Sequence, residues 1–188
     1  MNTTINFNTG IEKRCFDALI HLMSERTIEE VAIVDILKEA DISRSTFYRH
    51  YLDKYDLLNK SYEKILENTI LYGGEYGNFK ATFMDLYEVL QTYSAFFAHA
   101  FADKGQNSLF DYIHQKMERV YSKMLMDHGV NMHDPINIYV LQGYIHGTLQ
   151  ITYNWLASGA KEDIDTILQT MYKLMPDMMR SVILTYYM

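Results

Sequence analysis

Helix breakers are scarce in this sequence: 188 residues contain two prolines and nine glycines. A fold of many short strands needs turn residues about every 8–12 positions, so long helices are favoured. With 48% apolar residues the chain has enough material for a sizeable core, which excludes global disorder. The longest stretch free of Asp, Glu, Lys and Arg runs from Pro135 to Ala160. It carries Asn137, Gln142, His146, Thr148, Gln150, Thr152 and Asn154, too many polar groups for a membrane span. The opening MNTTINFNTG has neither the basic start nor the apolar run of a secretory signal. A single cysteine, Cys15, excludes an intrachain disulfide framework and a Cys-based zinc finger, and points to a reducing compartment. The expectation is a soluble, cytoplasmic, all-α protein of about nine helices.

Apolar spacing places the first helix at 11–25, with Ile11, Cys15, Ala18, Leu19 and Leu22 recurring at helical intervals. Thr27 and Glu30 form a T-x-x-E pair, a capping-box pattern. Short helices are expected at about 33–40 and 44–51, separated by Asp41-Ile42, with Ser43 as N-cap of the second. A longer helix covers about 54–72 and ends at GGEYG, residues 73–77. Helical pattern resumes over 79–103, broken near Thr92. KGQN at 104–107 is a loop, and Ser108 and Asp111 start a helix reaching about 127. Asp134-Pro135 pairs an N-cap with a first-position proline, opening a helix that closes at Ser158-Gly159. The last helical stretch, about 162–186, is kinked or split by Pro176.

Residues 33–51 thus read as helix, tight turn, helix. The second helix has Phe47 and Tyr51 on one face and hydrogen-bonding side chains elsewhere. A recognition helix needs this: apolar anchors set its angle while N-terminal residues reach base edges. Arg44 can donate two bonds to guanine, and Ser45 or Thr46 can meet a base or a thymine methyl. Tyr48, His50 and Lys54 suit phosphate contacts. The candidate DNA contacts are Ser43, Arg44, Ser45, Thr46, Tyr48, Arg49, His50 and Lys54. A net charge of −7 excludes a generally basic nucleic-acid coat, so DNA contact must come from a local patch. Ser43 to Lys64 holds five basic residues against three acidic ones, whereas Met1 to Ile42 holds four against eight. The positive stretch coincides with the candidate recognition helix.

The segment VDILKEADISRSTFYRHYLDKYDLL, Val34 to Leu58, resembles the TetR/AcrR family of transcriptional regulators. Asp35, Ile36, Ala40, Ser43, Thr46, Phe47, Tyr48, His50, Lys54, Leu57 and Leu58 match the family pattern. Ala32, Leu37 and Asp41 depart from it: Ala32 removes a capping hydroxyl, Leu37 replaces a small Ala, and Asp41 replaces the turn glycine. Asp tolerates a left-handed turn better than most residues. The resemblance implies a DNA-binding domain at 1–52 and an effector-binding and dimerisation domain at 53–188, with helix 54–72 bridging the two. It implies a homodimer on palindromic operator DNA, regulated as a repressor by a small molecule. The alternative on the same scaffold is an interaction or co-activator protein switched by a protein partner.

In the second part, the uncharged helix from 135 carries Gly143 and Gly147 four residues apart, a spacing that lets another helix approach closely. Ordinary packing within the subunit would use the same feature. Tyr139, Gly143, Gly147, Ile151, Trp155, Met171 and Met175 are the candidate dimer interface. The run from Tyr93 to Phe101 and the helix that follows it are rich in aromatic and Met residues. Phe96, Phe97, His99, Tyr112, Tyr121 and Tyr144 are candidates to line a pocket for an apolar or aromatic effector. No catalytic motif is present: His-Glu-x-x-His, Walker and Gly-x-Ser-x-Gly patterns are missing, as is the paired Glu-x-x-His of a di-iron bundle. No enzyme activity, metal or cofactor is expected.

Overall fold

The computed structural model describes residues 5–71, 79–103, 105 and 108–187. Among these residues there is no strand, and ten α-helices follow one another: α1 (Gly10–Met23), α2 (Ile33–Glu39), α3 (Arg44–His50), α4 (Lys54–Leu66), α5 (Phe79–Thr92), α6 (Ser94–Ala102), α7 (Leu109–Asp127), α8 (Pro135–Ala157), α9 (Ile164–Leu174) and α10 (Asp177–Tyr187). The stretch 79–103 divides at Tyr93, next to the expected break, and the count of about nine becomes ten because 162–186 divides at Pro176. GGEYG at 73–77 and most of 104–107 lie outside the described residues. Among the described residues no helix is long and apolar enough to cross a membrane.

The local signals act where they stand in the sequence. Ser43, Ser108 and Asp134 each accept a backbone N–H of the first turn, from Thr46 (3.1 Å), Asp111 (3.2 Å) and Ile136 (2.9 Å). Thr27 and Glu30 do bond to each other, at 2.8 Å from the Thr27 N–H, but they close a turn before α2 rather than a helix. Ala32 cannot cap; Asp35 supplies half a capping box by accepting the Ala32 N–H at 3.4 Å. Asp41 sits at φ +50°, and Ile42 N–H returns to Leu37 O at 3.1 Å. That is a left-handed helix stop built without glycine. Met175 is extended ahead of Pro176, which divides α9 from α10.

The 54–72 helix is regular only to Leu66, and residues 67–71 widen into a π-helical turn. Asn68 and Thr69 donate side-chain bonds to the carbonyls of Lys64 (2.7 Å) and Ile65 (2.8 Å) there. Such back-bonding competes with the regular ladder and bends helices.

The core runs through the whole chain. α6 lies between α1 and α8. Phe16 of α1 meets Phe96 edge-on at 6.4 Å, and Phe97 meets Tyr62 of α4 at 6.4 Å. Of the three N-terminal helices, α1 is therefore fastened to the larger helical body through aromatic packing.

Candidate nucleic-acid interface and interior cavity

Phe47 and Tyr51 are buried with rings 5.4 Å apart, so α3 is held by one side. Arg44, Ser45, Tyr48 and Arg49 are exposed on its other sides, and Thr46 is half-exposed. This is the outward row of donors that groove reading requires. Ser43 has a different duty: its oxygen accepts the Thr46 N–H and lies 2.9 Å from Ser45 Oγ and 2.8 Å from Thr46 Oγ1, which orders the first turn. His50 is half-buried, its ring tilted against Tyr51.

Lys54 is anchored within the protein. Its ammonium donates to Glu29 O (3.0 Å) and Val31 O (2.8 Å), tying the start of α4 to the turn before α2. Six residues later, Lys60 donates to His50 O at 3.0 Å, satisfying an end carbonyl of α3. The helix after the recognition helix therefore holds the helix–turn–helix at two points. These links span 10 to 25 residues and have no signature in local sequence.

Behind α4 lies a cavity of about 380 Å³. Tyr62, Glu63 and Leu66 of α4 and Glu67 of the π-helical turn form one wall, with Phe83, Leu86, Tyr87 and Leu90 of α5 beside them. Lys116, Met117, Tyr121 and Met124 of α7 face Tyr144, Thr148 and Thr152 of α8 across it, and Met171 of α9 closes the lining. The volume falls in the range of small-molecule sites, about 300–1,000 Å³. Beside the cavity is a polar cleft of about 260 Å³ bounded by His50, Tyr51, Lys60, Glu63 and Glu67, the last two shared with the cavity. Glu63 and Glu67 thus border both the cavity and the cleft at the end of α3.

Of the six expected pocket residues, Tyr121 and Tyr144 line the cavity. Phe96 and Phe97 do not; they fill the core between α1, α4 and α6. His99 faces α1, its Nδ1 2.7 Å from Met23 O. Tyr112 lies beside the rim, where its hydroxyl donates to Glu63. Sequence reasoning missed Lys116, a partly exposed charge at the rim, and Tyr62, Tyr87 and Leu66, which differ from ordinary core residues only in facing a void.

The rim is an electrostatic latch. The Glu63 carboxylate receives both the Tyr112 hydroxyl and the Lys116 ammonium, the latter at 2.5 Å, joining α4 to α7. Burial favours the neutral Glu63 acid. Hydrogen bonds from Lys116 and Tyr112, with the charges of Lys116 and Lys60, outweigh it and hold the carboxyl below its usual range. Burial, joined by the bond to Glu63, pushes the Tyr112 phenol upward.

The expected dimer residues divide into two sets. Tyr139 (71% exposed), Gly143, Gly147 and Ile151 follow an outward stripe along α8, with Ile136 and Val140 exposed beside them. A Cβ added at either glycine would meet nothing within 4 Å, so neither glycine serves packing inside the subunit. Trp155, Met171 and Met175 belong to the core instead. Trp155 stacks on Tyr87 at 5.6 Å and donates to Glu162 O at 2.9 Å, while Met171 Sδ accepts the Tyr87 hydroxyl at 3.2 Å. Their apolar spacing did not tell core from interface, because α8 and α9 bury residues against their own neighbours.

Cys15 is buried, and burial pushes its thiol up to about 11, the state of an inert core side chain. Among the described residues no three His, Cys, Asp or Glu side chains are grouped to hold a metal ion.

The exposed donor row on an anchored second helix, set against a large helical body, defines a helix–turn–helix transcription regulator. Residues 16–60 match the family model of bacterial regulatory proteins of the tetR family, and residues 77–177 match that of a transcriptional regulator C-terminal region. The chain belongs to the TetR family of transcriptional regulators. No curated protein is matched by the sequence. Among solved structures the chain is similar to the dihydroxyacetone kinase operon activator DhaS. The TM-score is 0.62 at 16% identity, over 92% of this chain and 96% of that one. At that identity the likeness speaks for the fold.

Proposed function

We propose that this regulator works as a homodimer that reads a palindromic operator through Arg44, Ser45, Thr46, Tyr48 and Arg49. An apolar or aromatic effector in the interior cavity releases it, so that it acts as a repressor. Residues 1–52 form the reading domain and 53–188 the effector and dimerisation domain. The observation that carries this reading is the double attachment of α4. One stretch of the helix walls the cavity with Tyr62, Glu63 and Leu66, while Lys54 and Lys60 hold the helix–turn–helix. A ligand that displaces α4 therefore displaces α3. Half-sites lie about 34–36 Å apart or a multiple of that, so a shift of a few ångströms misaligns one reader. Dimerisation through the α8 stripe supplies the two-fold axis that a palindrome matches.

The coupling required is about 1–3 kcal/mol and is reciprocal. The test is a mobility shift with DNA upstream of the protein's own gene, repeated with candidate effectors. The expected result is a shifted band that effectors abolish. A band indifferent to every effector that binds the protein would overturn the switch. The similar structure is that of an operon activator, which supports a second reading in which the same scaffold turns transcription on.

A further inference from the structure

Two hydroxyls in the cavity wall lack a partner. Tyr62 of α4 and Tyr144 of α8 are 6% and 8% exposed, and both line the cavity. Among the described residues neither phenol oxygen is hydrogen-bonded. Tyr87 beside them is satisfied, with its hydroxyl 2.7 Å from Thr152 Oγ1 and 3.2 Å from Met171 Sδ. The two threonines of the wall are also satisfied: Thr148 donates to Ile145 O at 3.0 Å and Thr152 to Thr148 O at 2.9 Å. Neither oxygen is sealed in the packed core, so each hydroxyl is open to the cavity space and to a ligand there. Burial pushes both phenols upward, and ionised neighbours would repel them further, so each keeps its proton and acts as a donor.

The charged groups of the lining are already neutralised. Lys116 sits 2.5 Å from Glu63, and Glu67 is paired with Lys64 at 2.8 Å on its far side. An anionic ligand would meet two carboxylates, and a cationic one would find both already paired. The remaining wall is Tyr121 with Phe, Leu, Ile, Val and Met side chains, and the Met sulfurs favour aromatic rings.

Resting on the reading of the cavity as effector site, we propose that it takes a neutral aromatic molecule of one or two rings. Its acceptor oxygen, of ketone or ester type, receives the hydroxyls of Tyr62 and Tyr144. The bond to Tyr62 places the ligand's polar end on α4, one residue before the Glu63 latch, and so on the helix that holds α3.

Four two-ring probes of matched shape test this by equilibrium dialysis against the full chain: benzophenone, diphenylmethane, benzhydrylamine and diphenylacetate. Benzophenone is expected to bind tightest. Tyr62→Phe and Tyr144→Phe, which remove only the hydroxyl, each weaken it roughly three- to tenfold and leave diphenylmethane unchanged. Diphenylmethane binding as tightly as benzophenone overturns the acceptor requirement while leaving the cavity as a ligand site. Tighter binding of the amine or the carboxylate does the same, as does benzophenone affinity unchanged in both variants. Failure of all four probes to bind overturns the cavity reading itself. The ranking on the unmodified chain decides the matter even if a variant folds poorly.

Discussion

Lys54→Met keeps the length of the stem and removes the ammonium. Two charge-assisted bonds are lost, at 3.0 Å to Glu29 O and 2.8 Å to Val31 O. A hydrogen bond to a charged group contributes about 1.5–3 kcal/mol when well buried. Lys54 is half-exposed, so water replaces part of each bond and the combined loss falls to about 1–3 kcal/mol. For a chain of this size each kcal/mol lowers Tm by about 2–4 °C. The variant is therefore expected to melt about 2–12 °C lower, followed by far-ultraviolet circular dichroism at fixed protein concentration. The same variant separates anchoring from phosphate binding. Each phosphate contact removed lowers the slope of log K against log salt by about 0.9. The third N–H of Lys54 is free of the two carbonyls, so a fall in slope measures what it gives to DNA, apart from the melting shift. A variant melting within 1 °C of the parent would refute the anchor.

Gly143→Leu and Gly147→Leu are expected to give folded monomers or disordered aggregates in place of dimers, checked by light scattering. The subunit has room for either side chain, and Leu raises helix propensity by about 1 kcal/mol, so helicity is retained. Normal dimers from both variants would place the interface elsewhere. Glu63→Gln opens the latch between α4 and α7 and flattens the acid limb of stability. Because the folded Glu63 carboxyl is held low, its contribution is present above the unfolded carboxylate value. It is lost as pH falls through the folded one. Urea midpoints at pH 7 and pH 3 should therefore differ less in the variant than in the parent, and an equal difference would refute the role.

What could be read from the sequence was what is decided locally. Caps at Ser43, Ser108 and Asp134, the left-handed stop at Asp41 and the break at Pro176 each depend on residues within a few positions. So did the outward row of α3, because Phe47 and Tyr51 fix which side is buried. The cavity was not legible in the same way. α6 is packed against both α1 and α8, so helical periodicity gives Phe96 and Phe97 no direction toward a void. Tyr62 and Leu66 look like the core face of α4, and only the arrangement of α5, α7 and α8 leaves space beside them. Lys54 carried the signature of a phosphate contact, while its carbonyl partners lie 23 and 25 residues away. Trp155 continues the four-residue spacing of the outward stripe of α8, yet it packs on Tyr87, whose hydroxyl also meets Met171 of α9.

The central claim is that paired copies of α3 read a two-fold DNA site. Selection of bound duplexes from a random pool by the full chain tests it most directly, with Arg44→Ala in parallel. The parent chain is expected to enrich a palindrome whose half-sites are centred about 34–36 Å apart or a multiple of that. Arg44→Ala is expected to relax one base pair in each half-site, a loss of about 1–3 kcal/mol of discrimination. Enrichment of no motif, of a motif without two-fold symmetry, or of the same motif at equal stringency by Arg44→Ala would contradict the account.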